Sequence, residues 1–159
     1  MKVASHGIET DLPPGWEGRI SLRRAPDGRD RGLGHVGEVP NPVAHLANFP
    51  LPEDRGDFGS GAVDLMGSGD VLVVLFEYGP ESVGTALFAR DGLPTALQPG
   101  MFSASSLQRT MAGQAGCQVF FTTAGRAFCC YVVLGRQSEA ARLVPLANAT
   151  LRATTIGPR

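Results

Sequence analysis

Three stretches of the chain show how hydrophobic and polar positions set its elements. From Gly15 to Arg23 large apolar residues alternate with polar ones. Trp16, Ile20 and Leu22 share one parity, so this reads as a half-buried strand with those side chains on one side. Val71 to Tyr78 is apolar on both parities as far as Phe76, the mark of a central strand covered on both faces. Cys117 to Leu134 reads as a long hairpin, with two β-rich arms flanking Ala124-Gly125 and glycine in the second turn place. A two-residue turn there sets Val119 opposite Cys130, Phe120 opposite Cys129 and Cys117 opposite Val132.

The remaining segments read less sharply. Met1 to Pro14 leads into the first strand. Val43 to Phe49 is a short strand stopped by Pro50 and Pro52, with Pro40 and Pro42 keeping the approach extended. Ser82 to Phe88 is a short helix or an edge strand. Phe102 to Arg109 alternates and is expected to pair with the first arm of the hairpin, making a three-stranded meander. Ser138 to Leu151 predicts a helix, with Ser138 as N-cap, Glu139 in the first turn and Ala140, Leu143, Val144, Ala147 and Leu151 on one face. Pro145 opposes that helix, since an interior proline costs about 3 kcal/mol. Ala25 to Val36, Asp54 to Gly69 and Leu93 to Gly100 are loops by composition, the second built around a short helical turn or strand. The whole is one α+β domain over residues 1–159. It has an antiparallel sheet with a long hairpin or meander, a C-terminal amphipathic helix packed on it, and a loop-rich insertion around 25–69.

With 159 residues, 43% hydrophobic, the chain is long enough for one real core. A net charge of −1 provides no footprint for nucleic acid or an anionic membrane. No apolar run approaches the roughly 20 residues of a membrane helix, and no secretory signal is visible at the start. These features predict a cytoplasmic protein. Of 14 basic residues only Lys2 is not arginine, a bias that fits a bacterial genome rich in G and C.

The residue types that carry chemistry are present but not arranged for it. Cys129 and Cys130 are neighbours on a strand and point to opposite faces, and Cys117 would reach Cys130 only diagonally, too far for an ordinary disulfide. All three are expected to be buried and inert. His6, His35 and His45 are scattered, without zinc-ligand spacing. Ser68 lacks the context of a nucleophile elbow. The glycines from Gly56 to Gly69 are not closed by Lys-Ser/Thr and are accompanied by Asp54, Asp57, Asp64 and Asp70, which would repel phosphate. Calcium-loop ordering is likewise missing. Glu77, at the end of the buried strand, is expected to pair with Arg109 or Arg126. No metal or cofactor is implied.

The order of elements is an N-terminal strand opened by Leu12-Pro13-Pro14-Gly15-Trp16, several strands, a hairpin arm Arg126 to Leu134, then a helix and a short last segment, Leu143 to Ile156. This order resembles the Mog1/PsbP-like fold. The resemblance implies an antiparallel sheet with packed helices and a binding or accessory role, and transfers no functional residue. The leading expectation is therefore a non-enzymatic accessory, adaptor or assembly domain that binds another protein through its loops, without nucleic acid or membrane insertion and compatible with a homo-oligomer. Trp16, Phe102, Arg109 and Arg126 are the expected contact residues. One alternative is a small-molecule or lipid pocket between sheet and helix lined by Phe120, Phe128, Tyr131 and Leu143. Another is a thiol-dependent redox or sensor protein using Cys117, Cys129 or Cys130.

Overall fold

A computed structural model describes residues 1–23 and 40–159. The strands are β1 (Lys2–Ser5), β2 (Ile8–Asp11), β3 (Glu17–Leu22), β4 (Pro42–Ala47), β5 (Val71–Tyr78), β6 (Ala115–Thr123), β7 (Arg126–Leu134) and β8 (Thr154–Ile156). The helices are a single turn, α1 (Ser60–Val63), and α2 (Ala140–Arg152). They form an α+β fold with two antiparallel sheets, a five-stranded one ordered β3-β4-β5-β7-β6 and a three-stranded one ordered β1-β2-β8. The loop expected over 25–36 lies outside the described residues.

β5 is central, as its doubly apolar pattern requires, and every residue from Val71 to Glu77 is buried. Period-two geometry sorts its side chains. Val71, Val73 and Leu75 join Phe128, Cys130 and Val132 of β7 on one face, and Leu72, Val74 and Phe76 join Cys129, Tyr131 and Val133 on the other. The hairpin has the expected register, Val119 opposite Cys130 and Cys117 opposite Val132. Ala124 and Gly125 both take positive φ, 51° and 71°, the backbone that lets a two-residue turn follow the strand twist. A second such turn, His6-Gly7 with φ 51° and 78°, makes β1 and β2 a hairpin where the sequence reads only as a lead-in.

The first face is covered by α2 and by the three-stranded sheet. Leu143, Val144, Ala147 and Leu151 lie buried against it with Ile8 and Leu12. Complete burial of one such leucine contributes about 1.5–3 kcal/mol. This stripe keeps the helix continuous through Pro145, whose ring points to solvent. The carbonyl that loses its N–H partner belongs to the exposed Ala141, so water can satisfy it. Ser138 is not the cap. It sits in a 3₁₀ turn (Gln137–Glu139), Glu139 occupies the cap position, and no side chain caps the helix.

Trp16 and Ile20 of the predicted first strand also face this core, whereas Leu22, at 42% exposure, has passed beyond it. Phe102 to Arg109 is not a third meander strand. Only Ser103 bridges β6, at Gly116, and Ala104–Ser106 closes a 3₁₀ turn. The Ser103 hydroxyl bonds those of Ser105 and Ser106 at 2.9 and 3.1 Å, the local bonding by which serine competes with a strand ladder. Residues 82–88 likewise form 3₁₀ turns, Pro80–Ser82 and Ala86–Phe88.

Candidate functional site

Among the described residues, no long helix lies on the second face of the large sheet. Phe49, Ala62 and Val63 are buried over it, and Leu51, Phe58, Met66, Leu107, Met111 and Phe120 are half-buried at its rim. Apart from Phe120, which projects from β6 itself, these residues come from the loop around α1 and the loop before β6, so the cover is irregular chain. Polar side chains hold it down. The Tyr131 hydroxyl accepts the Gln108 backbone N–H at 2.9 Å, and Gln114 Nε2 donates to the Val63 carbonyl at 3.1 Å.

His45 supplies a further tie, made at both ring nitrogens. It projects from β4 toward this face and is 2% exposed. Arg55 Nε donates to its Nδ1 at 2.9 Å. Because Nδ1 accepts, Nε2 carries the proton and donates to the Asp57 carbonyl at 2.8 Å. Arg55 also donates to the Pro52 carbonyl at 2.8 Å. Burial, opposed in part by the Asp57 bond, lowers the imidazole from 6.5 to about 4. A neutral ring with both nitrogens engaged straps the 52–57 segment to the strand and has no free lone pair for proton transfer at neutral pH. The glycine-rich sequence serves the same closure: Gly59 takes φ 77°, and a Cβ on Gly61 would run into the Asp54 carbonyl. Beside the strap is a half-open cavity of about 700 Å³, bordered by Ser21, Leu22, His45, Glu53, Asp54 and Asp57.

At the far end of the opposite face, Glu77 forms a buried two-point ion pair with Arg126, Oε2 to Nε and Oε1 to Nη2 both at 2.9 Å. Of the two expected partners, Arg126 is the one in contact. Their strands place them diagonally on one face, since Glu77 lies opposite Phe128. Arg126 also donates to the Gly157 carbonyl at 2.9 Å, tying the segment after β8 to the large sheet.

Of the expected contact residues, Trp16, Phe102 and Arg126 are buried at 9%, 4% and 4% exposure. Trp16 and Phe102 pack in the core and Arg126 serves the ion pair, so these three present no contact surface. Only Arg109 reaches solvent, where it pairs with Asp64 across the two loops of the second face. The apolar quartet expected to line one pocket is split by the sheet: Phe128 and Leu143 lie on the α2 face, Phe120 and Tyr131 on the other. The three cysteines are free and buried. Burial raises their thiols, Cys129 to about 12 and Cys130 well above its ordinary value, which keeps them protonated and poor nucleophiles. Among the described residues, no three His, Cys, Asp or Glu side chains are placed to hold a metal ion, and no helix is long and apolar enough to cross a membrane.

The loop-covered rim escaped the sequence reading because its members are scattered from Leu51 to Phe120 with no shared period. No protein-family model, curated protein or solved structure matches the chain. The class defined by its own geometry is a two-sheet α+β domain with one helix-covered and one loop-covered face.

Proposed function

We propose that the protein is a non-enzymatic accessory or assembly domain that binds another protein through the loop-covered face of its large sheet. The observation that carries this reading is the rim itself. Half-buried Phe58, Met66, Leu107 and Met111 surround this face, Leu65 is 63% exposed, and Arg109 and Asp64 stand beside them. Exposed apolar groups with a polar border are what protein partners bury. The tempting reactive groups support a binding role because each serves the fold: His45 straps a loop, Glu77 holds Arg126, and the cysteines fill the core. An accessory role also fits the Mog1/PsbP-like order of elements, and free cysteines fit the reducing cytoplasm of a bacterium.

Affinity capture with variants tests the reading. Wild type should retain a stoichiometric protein partner that Leu65→Asp loses by about tenfold or more in affinity. Thr155→Lys, exposed on the three-stranded sheet, should retain it fully. Equal retention by Leu65→Asp, or no stoichiometric partner at all, overturns the proposal.

A further inference from the structure

β6 is an edge of the large sheet, at the opposite end from β3. The hairpin turn fixes which of its backbone groups look outward. Thr123 and Arg126 flank the two-residue turn, so the odd-numbered residues of β6 exchange hydrogen bonds with β7. The N–H and C=O of Gly116, Gln118, Phe120 and Thr122 therefore point away from the sheet. The chain itself closes both ends of this row. Ser103 and Gly116 exchange N–H to carbonyl bonds at 3.0 and 2.9 Å, the Thr122 N–H donates to the Arg90 carbonyl at 2.8 Å, and the Gly92 N–H donates to the Thr122 carbonyl at 2.9 Å. Among the described residues, the outward N–H and C=O of Gln118 and Phe120 have no partner; the Gln118 side chain alone is engaged, donating to the Ser106 carbonyl at 3.0 Å. Burial follows the same outline: Ala115 to Cys117 are buried, Gln118, Val119 and Phe120 are half-buried, and Phe121 is buried again.

Unpaired N–H and C=O groups at strand spacing are a template for one chemistry, an extended backbone. Gly116 and Thr122 stand about 20 Å apart at about 3.4 Å per residue, and the two closures occupy both ends of that length. A second copy's β6 has nine residues and closures of its own; laid antiparallel about Val119, it sets each closure against the other. A short stretch of a different chain meets no such obstacle. We propose that the open middle of the β6 edge receives a short extended segment of a partner protein by antiparallel strand addition, bonded to the backbone of Gln118 and Phe120. Antiparallel pairing satisfies all four groups with three residues, whereas parallel pairing needs five, which the closures exclude. The inference rests on the reading of the loop-covered face, whose rim includes Phe120, and names how the partner is held there. The partner residue opposite Phe120 lies beside that ring on the loop-covered side and is apolar. The residue opposite Val119 turns toward the α2 side, as Val119 does, and is apolar too. Proline is excluded opposite Gln118 and Phe120, where its missing N–H would leave a carbonyl unpaired.

Amide exchange of the full chain is the first test. The N–H groups of Gln118 and Phe120 should exchange fast, and those of Val119 and Phe121, bonded to β7, slowly. Slow exchange at both outward sites overturns the proposal, because the edge is then already filled. A displayed library of random heptapeptides, which holds every three-residue sequence many times over, supplies the probe. Selected peptides should share a proline-free stretch with two adjacent apolar residues and should slow exchange at Gln118 and Phe120. Gln118→Pro removes one outward N–H and spares the ladder to β7, whereas Gln118→Ala removes only the bond to Ser106. The first should bind the peptide about tenfold more weakly and the second like wild type. Methylating the peptide nitrogen that faces Phe120 should weaken binding to the unchanged protein by a similar factor, so the answer stands even if circular dichroism finds the proline variant unfolded. Failure to select any peptide, or peptides indifferent to both changes, overturns strand addition. If Leu65→Asp still loses its captured partner in that case, the loop-covered face remains the docking surface; if it does not, both readings fall. Self-association by sedimentation velocity that Gln118→Pro abolishes gives the edge to a second copy and overturns the foreign segment.

Discussion

The two faces of the five-stranded sheet are covered by different physics. On one side, α2 lays a regular apolar stripe on a regular apolar surface, and its own polar ties, Asn148 to Leu97 and Thr150 to Thr154, run to neighbouring segments and not to the large sheet. On the other, loops cover a similar strand surface and are held by individual ties, His45 to Arg55 and Asp57, Tyr131 to Gln108, and Gln114 to Val63. Area-based burial is spread over many atoms and tolerates small shifts. A strap of single hydrogen bonds can be opened locally, by pH or by a partner, without melting the sheet. Local openings draw on such low-contact segments. This domain keeps its rigidity on one side and its adaptable surface on the other.

The most damaging way to break the comparison is at the ion pair beneath the helix-covered side. Arg126→Met leaves the buried Glu77 with only the half-buried Arg159, 3.6 Å away, and should cost up to about 3–5 kcal/mol by denaturant unfolding. The double variant Glu77→Leu/Arg126→Met should recover most of it. If the single change costs under about 1 kcal/mol, the pair is wetter than its burial indicates.

Next comes Leu143→Ala, a residue of α2 fully buried against the large sheet, expected to cost about 2–5 kcal/mol as one cooperative transition. If instead α2 detaches while the sheet stays folded, the two covers are less unlike than described.

The third effect sharpens the contrast through pH. His45 binds a proton more weakly folded than unfolded, so its contribution is complete above pH 6.5 and disappears as pH falls toward about 4. Across that window wild type should lose up to about 3 kcal/mol more than His45→Leu, with amide exchange of residues 52–57 rising first. Identical pH profiles for the two proteins would show that the strap does not hold the loop.

Much of the architecture was legible in order and spacing. β5 declared itself through apolar residues on both parities, the β6–β7 hairpin through Ala124-Gly125, and α2 through its three- and four-residue recurrence. These signals are local, because period and turn chemistry act within a few residues. The errors are local signals overruled from a distance. Weak alternation at Phe102 to Arg109 yielded to serine hydroxyl bonding and to Phe102 entering the core. Trp16, Phe102 and Arg126 have types common at interfaces, but the fold used them inside. His45 looked like one scattered histidine because its partners lie ten and twelve residues away in a loop.

Residue order alone fixed the doubly covered place of β5, the register of the hairpin around Ala124-Gly125 and which side of α2 is apolar, since steric and hydrophobic periodicities belong to short segments. The tertiary structure alone decided what covers each side of the sheet, that Glu77 takes Arg126 and not Arg109, and that Leu65, Asp64 and Arg109 come to share one surface. Those outcomes depend on chain packing across many residues, where burial turns an ordinary arginine into a core ion-pair partner and a loop into a surface for recognition.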